Sequence, residues 1–305
     1  MDGLAEPIEV TDQDWELLKG AVDQHVHSGP AILPREIDHL EEMREASAAG
    51  LAAVLFKDHY YPTGAMATLL GKHFADLGVK PMSGIALNNT VGGFNHFAVE
   101  HEALLGGRIV WLPTVSAANH IRYAEAQAKA FDHPSKMSRM SPETPVLAFD
   151  GKVIRDDVKA VLDAVAKHDM VLSGGHLHIS EIWTVFEEAK RRGVNRFLLN
   201  HPESIIEASF NDVGGLASFG CIIEHSMTRF VPSSKFQKYT LASLKQHIDT
   251  AGVDNTILAS DMGQKGSATP VRGMVEAVGL CRTLGYTPDE IRKMISDNPK
   301  RLLGI

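Results

Sequence analysis

Residues 21–30 read AVDQHVHSGP: an apolar start, two histidines two positions apart, and a Gly-Pro stop. A short β-rich run closed by a turn is a strand, and strand alternation puts His25 and His27 on the same side, about 6.5–7 Å apart. Any strand brings i and i+2 together, so His-x-His alone is a weak signal. It gains weight because four further runs end in a metal-type ligand: GGHLH with His176 and His178, LLNHP with His201, IIEH with Glu224 and His225, and LASD with Asp261. Two imidazoles on one strand, with a third histidine and an aspartate from distant strands, make a nitrogen and oxygen ligand set that leaves a position open for water.

Working outward, short β-rich runs end near Val26, Lys57, Leu87, Pro113, Gly174, Asn200, Glu224 and Ser260, and helical or loop-like sequence follows each. Such alternation signals βαβ units and a parallel sheet. Eight units in a chain of 305 residues fit a closed (β/α)8 TIM barrel, whose strand ends converge on one face where active sites are built. A single domain over 1–305 is expected, with an insertion after strand four at about 117–155: a helix near Ile121–Ala130, a polar loop at Asp132–Pro145 and a hairpin through LAFDGKVI. A doubly wound open sheet stays in competition, since alternation does not show closure. Ile182, Val185, Phe186 and Ala189 repeat at helical spacing ahead of Gly193, and Ile37, Leu40 and Met43 do so ahead of Gly50. Thr287-Pro288-Asp289-Glu290 carries a capping box and a first-turn proline.

Composition narrows the classes. Apolar residues at 44% and charged residues at 22% exclude a disordered or fibrous chain. No run approaches the roughly 18 apolar residues of a membrane span. A net charge of −8 without a Lys/Arg cluster argues against a nucleic-acid partner. Two cysteines are too few for a disulfide framework, and the acidic opening MDGLAEPIEVTDQDW has no leader pattern, so a cytoplasmic protein is expected. Fifteen histidines are the unusual feature. Those in helical or loop sequence, His73, His133, His168 and His247, are expected on the surface.

The chain resembles the amidohydrolase superfamily of metal-dependent (β/α)8 barrel hydrolases, through QHVHSGP, GGHLH, LLNHPE, ASDMGQ and the closing DNPKRLLGI. Their order matches the superfamily's His-x-His, fifth-strand His, sixth-strand His and eighth-strand Asp. More narrowly it resembles a branch marked by HVHSGP, K-x-H-x-x-P-T and SD-x-GQ, which read here HVHSGP, KDHYYPT and SDMGQ. Many dinuclear members carry a bridging Lys or Glu at the end of strand four, but RIVWLPT has none. The resemblance therefore implies one divalent ion on His25, His27, His176 and Asp261, with His201 beside it. A second ion would recruit His59, His201 or Glu224. Zinc is expected ahead of manganese or iron.

A metal held there would make its bound water acidic enough for use near neutral pH. Asp261 would act as general base and later return that proton to the leaving group, and His201 would donate to the oxygen that gains charge. Lys57, costly to bury alone, is a substrate-carboxylate binder, a carboxylated bridging ligand, or half of an ion pair with Asp58 or Glu224. His59, His120 and His178 are further metal or substrate candidates, and Gln264-Lys265-Gly266 reads as a substrate loop. The expected activity is hydrolysis of a C–N or C–O bond in a small amide, cyclic amide or lactone. A metal-dependent lyase, decarboxylase or hydratase of a small carboxylic acid is the alternative, and a noncatalytic metal-binding or ligand-sensing barrel a third. The expected partner is a small-molecule substrate, with self-association into a homo-oligomer open.

Overall fold

The computed structural model describes residues 3–128 and 141–305. The strands are β1 Val22–Val26, β2 Ala53–Phe56, β3 Lys80–Met82, β4 Gly84–Ala86, β5 Ile109–Trp111, β6 Phe149–Asp150, β7 Val153–Ile154, β8 Val171–Ser173, β9 Phe197–Asn200, β10 Cys221–Ser226 and β11 Thr256–Ala259. The helices that bear on the site are α1 Asp12–Leu18, α2 His39–Ala49, α3 Gly64–His73, α4 His96–Leu104, α5 Ala118–Ala128, α6 Asp156–Lys167 and α7 Ile179–Arg191. They continue as α8 Phe210–Phe219, α9 Leu241–Ala251, α10 Pro270–Thr283, α11 Pro288–Arg292 and α12 Asn298–Leu303.

Apart from the β6–β7 hairpin, every strand pair is parallel, in the orders β1-β2-β3 and β11-β10-β9-β8-β5-β4. The two sheets are continuous through the chain itself. The third run is one stretch of sequence broken at Ser83, so that β3 pairs with β2 and β4 with β5. At the other seam His27 N–H donates to the Met262 carbonyl and Asp261 N–H to the His25 carbonyl, both at 2.9 Å, with a bridge at Val26–Met262. The strand order is that of the (β/α)8 reading.

One cluster of buried residues takes a side chain from every one of these parallel strands, among them Leu55, Trp111, Leu198 and Ile257, and from no helix except Leu302 and Leu303 of α12. This is the interior layer. The alternate strand residues face outward, where Leu172, Leu199 and Ile223 meet α6, α7 and α8, and Val54, Phe56 and Leu258 meet α2, α9 and α10. Strands covered on both faces read as continuous apolar runs, and β2, AVLF, is buried throughout.

Several local expectations hold. α7 buries Ile182, Val185, Phe186 and Ala189, and Thr287 caps α11 with a full capping box. The insertion helix starts earlier than expected, at Ala118, and the LAFDGKVI hairpin forms as β6–β7. Of the polar loop at Asp132–Pro145, the part before residue 141 lies outside the described residues, as does His133. α2 begins at His39, after Ile37, because Asp38 caps it. It turns Glu42 and Met43 inward, while Leu40 is half-buried. β10 continues to Ser226, past Glu224. His247 is buried, its ring 4.7 Å from Phe210 and 5.8 Å from His225, so the surface expectation fails there. No helix among the described residues is long and apolar enough to cross a membrane.

Candidate metal centre and its cavity

The site is set by an irregularity in β1. Its pairing with β2 shifts between Asp23 and Val26, a bulge of the kind that re-aims side chains. As a result both Gln24 and His25 reach the same acid inside the sheet. Gln24 Nε2 donates to Glu224 Oε2 at 2.7 Å, and His25 Nδ1 lies 2.6 Å from Glu224 Oε1. Asp23 turns to the seam, where its Oδ1 accepts the backbone N–H groups of His25 and Ser260 at 3.2 and 3.1 Å.

His25 Nε2 and His27 Nε2 then converge on Asp261 Oδ1, at 3.2 and 3.1 Å. These three residues offer ligand atoms that all lie within 4.8 Å of one another, and all three are buried. His176 stands outside the trio but next to it. Imidazole rings follow each other around the mouth: His25 to His27 at 5.1 Å, His27 to His59 at 5.1 Å, His59 to His176 at 5.9 Å, His176 to His201 at 4.9 Å and His201 back to His25 at 5.5 Å. His120, from α5, stacks on His176 at 4.7 Å, with their Nδ1 atoms 2.8 Å apart.

The remaining candidates find specific places. Lys57, at the end of β2, puts Nζ 3.0 Å from His25 Nε2 and 5.0 Å from the centre of the Trp111 ring. Of the alternatives for Lys57, the ion pair with Asp58 does not form, because Asp58 turns to Arg35 instead, at 3.6 Å. His59 Nδ1 lies 2.9 Å from Thr114 Oγ1. His201 Nδ1 is 2.8 Å from Ser226 Oγ and 3.8 Å from Asp261 Oδ2. Glu224 backs His25 from below. His178 is not brought to the site: it is the N-cap of α7, half-exposed, with Nδ1 on Ser180. The expected substrate loop is a turn tied down at Glu36, which accepts from Lys265 Nζ and from Gly266 N–H at 3.3 and 3.1 Å, and its Gln264 lines the cavity above the centre.

Electrostatics suit ligation. Burial keeps His59, His176 and His201 well below the ordinary histidine range and brings His27 down to about 3, so these imidazoles are neutral. Neutral imidazole is the ligating form. Burial alone would raise the Asp261 carboxyl, but His25, His27 and His201 around it outweigh that and hold it ionised. Burial brings the Lys57 ammonium down to about 8. The donor set fits a divalent transition ion on two counts. Glu224 takes the Nδ1 proton of His25 and leaves Nε2 its lone pair, the carboxylate–histidine support typical of metal sites. His176 Nε2 is buried on the cavity wall without a hydrogen-bond partner.

Above this centre opens a cavity of about 390 Å³, whose walls include His59, His120, Tyr60, Ile205 and Phe236. Arg35 and Arg229 also line it. Sequence reasoning overlooked both, as each lies in a loop with no motif around it. The one signal was indirect: Arg35 follows the HVHSGP stop and Arg229 follows IIEHSM, so both leave strand ends on the same face.

Solved structures share this architecture. An amidohydrolase from Pseudomonas aeruginosa is 12% identical, with a TM-score of 0.62 over 95% of this chain and 97% of that one. The probable dipeptidase PvdM, also from Pseudomonas aeruginosa, is 10% identical, with a TM-score of 0.65 over 96% of each chain. YJJV, a TatD homologue from Escherichia coli, is 14% identical, with a TM-score of 0.55 over 94% of this chain and 99% of that one. At these identities the likeness is one of fold, and it agrees with the amidohydrolase resemblance read from the motifs. No curated protein matches the sequence. Residues 20–224, which hold the His-x-His strand, Lys57, His176, His201 and Glu224, match the family described as "Family of unknown function (DUF6282)", and the chain belongs to that family.

Proposed function

We propose that the protein is a metal-dependent hydrolase that cleaves a C–N or C–O bond of a small molecule, an amide, cyclic amide or lactone. The observation that carries this reading is the convergence of His25, His27 and Asp261 donor atoms within 4.8 Å, at the floor of the cavity. His25 Nε2, His27 Nε2 and Asp261 would hold the ion, with His176 Nε2 as a fourth donor. Zinc suits this set, and manganese or iron could replace it. When bound, such an ion supplies Lewis acidity and makes water ionisable near neutral pH.

The chain's own groups do the rest. Asp261, kept ionised, takes the proton of the attacking water and passes it to the leaving nitrogen or oxygen. His201 is neutral with Nδ1 2.8 Å from Ser226 Oγ; with Ser226 donating to Nδ1, Nε2–H would be its donor toward the oxygen on which charge develops. Both residues sit at positive φ, 60° for His201 and 52° for Asp261, which fixes their directions against the strands that carry them. The His120–His176 stack walls one side of the cavity.

Elemental analysis of freshly purified protein, beside His25→Ala, Asp261→Ala and Asp261→Asn, tests the reading, together with a screen of amides, cyclic amides and lactones. About one equivalent of a transition metal is expected in the wild type and a deficit in both alanine variants. Asp261→Asn is expected to lose turnover. A protein that neither contains nor takes up metal would sink the proposal. Turnover that survives Asp261→Asn would remove Asp261 from its role.

A further inference from the structure

Three arginines in this chain show how it normally satisfies a guanidinium. Arg196, Arg155 and Arg282 each grip one aspartate through Nε and a terminal nitrogen, at 3.1 and 2.8 Å to Asp169, 3.0 and 2.8 Å to Asp157, and 2.9 and 2.9 Å to Asp14. Arg35 does not. Its side chain is only 5% exposed, and it forms an ion pair with Asp58, whose Oδ2 lies 3.6 Å from Nη2, a charge pairing beyond hydrogen-bonding distance. Arg35 Nε and Nη2 are buried without a hydrogen-bond partner, and so is Asp58 Oδ2. A guanidinium does not shed its charge, and buried donors left unpaired are costly.

Its position is fixed. The Arg35 backbone pairs with Gln264 and Lys265 N–H donates to the Pro34 carbonyl, which ties the loop after β1 to the turn after Asp261. The side chain lines the same cavity as His27, His201 and Asp261. Arg229, from the turn after β10, lines it too, with its own Nε buried and unpartnered. Of the cavity's other acids, Glu143 is committed to Ser116 and Asn89, and Glu125 is exposed. Arg35 and Arg229 therefore bring unused cationic donors to the cavity, beside one unused neutral acceptor, Gln264 Oε1.

We propose that this cavity selects small substrates bearing a carboxylate, and that Arg35 is the residue that binds it through its guanidinium. The inference rests on reading the cavity as the substrate site. A carboxylate offers two acceptor oxygens in one plane, the geometry that Arg196, Arg155 and Arg282 already satisfy within the chain. Bound to Arg35, it would hold the remainder of a small molecule among the apolar walls, within reach of Asp261.

Calorimetric titration of the full chain tests this, both chelator-treated and reloaded with zinc. The probes are benzoate and hexanoate, their uncharged amides, and inorganic phosphate. Each carboxylate is expected to bind about tenfold or more tightly than its amide in both metal states, as for a charge-assisted hydrogen-bonded pair. Arg35→Gln should abolish that preference, Arg35→Lys should keep only part of it because the fork is lost, and Arg229→Gln should retain it. Equal binding of acid and amide, or no carboxylate binding, overturns the proposal. So does a preference that survives in folded Arg35→Gln, one lost only in Arg229→Gln, or phosphate binding tighter than either carboxylate. Should Arg35→Gln fail to fold, the wild-type comparison and Arg35→Lys still decide. Carboxylate selectivity in a protein that never takes up metal would overturn the hydrolase reading alone. Normal metal uptake without that selectivity would overturn this one alone.

Discussion

His25 is the residue on which the centre turns, and Glu224 decides what it can do. With its Nδ1 proton on a buried carboxylate 2.6 Å away, the imidazole presents Nε2 as a lone pair and cannot rotate out of the site. Outer carboxylates of this kind typically contribute 10–100-fold to metal affinity. Glu224→Gln, nearly the same shape, is expected to weaken zinc binding by about that factor while leaving the fold intact. Chelator competition would measure it, and an unchanged affinity would reduce Glu224 to a core acid that happens to touch a histidine. At this scale the sequence was legible where chemistry and position coincide. A histidine or aspartate at a strand's end announces itself, so His25, His27, His176, His201 and Asp261 could all be named. Arg35 could not, because a lone arginine eight positions past His27 carries no periodicity, and only the tertiary placement of Asp58 shows that its donors are unused. His178 misled for the converse reason. It follows the strand run like a ligand, but as N-cap its Nδ1 accepts from the Ser180 backbone N–H of α7.

Among elements, the first strand and the turn after the last one act together. Gly263 sits at φ +115°, and a Cβ there would stand 2.3 Å from the His27 carbonyl oxygen, closer than any real contact. Gly263→Ala is therefore expected to push the Asp261–Gly263 turn away from β1, costing on the order of 1–3 kcal/mol from the backbone conformation alone. It should weaken metal binding although no ligand is changed. Gly266→Ala is the comparison: its added Cβ meets only the far end of Lys235, at 3.7 Å. It is expected to share the stability cost of a positive φ while keeping metal affinity. Equal affinity loss in both variants would mean that general loosening, not the β1 contact, is responsible. The helices were read well, since amphipathic spacing and caps are local signals. The bulge in β1 and the break at Ser83 were not, because both are fixed by which neighbour each strand finds, and pairing between distant strands leaves no trace in a single run.

Over the whole molecule, burial of ionisable groups sets a pH dependence whose two parts have opposite sign. His27, at about 3, with His59, His176 and His201 also well below the usual histidine value, stay neutral in the fold but take up protons when unfolded below about pH 6.5. Their contribution is present above that pH and is lost as pH falls. Glu102 behaves in the reverse way. Burial pushes its carboxyl from 4.5 up to about 7, so the folded state holds a proton that the unfolded state releases, and stability falls as pH rises from about 4.5 to 7. That shift corresponds to about 3 kcal/mol above pH 7. Burial also lowers His39, to about 4, and His247, and it raises Asp23, to about 7, Glu42 and Asp58 in the same sense as Glu102. With more depressed imidazoles than raised acids, acidification is expected to lower the urea midpoint of chelator-treated protein between pH 6.5 and 5. Glu102→Gln isolates the Glu102 share of the opposing part, since it keeps the shape that accepts the Gly64 N–H at 3.1 Å but cannot ionise. The variant should be more stable than the wild type by about 3 kcal/mol at pH 8, and the difference should vanish near pH 4.5. A gap that stays constant across that range would show that Glu102 is ordinary in its titration, and that the substitution acts through packing around Gly64 and Gly107.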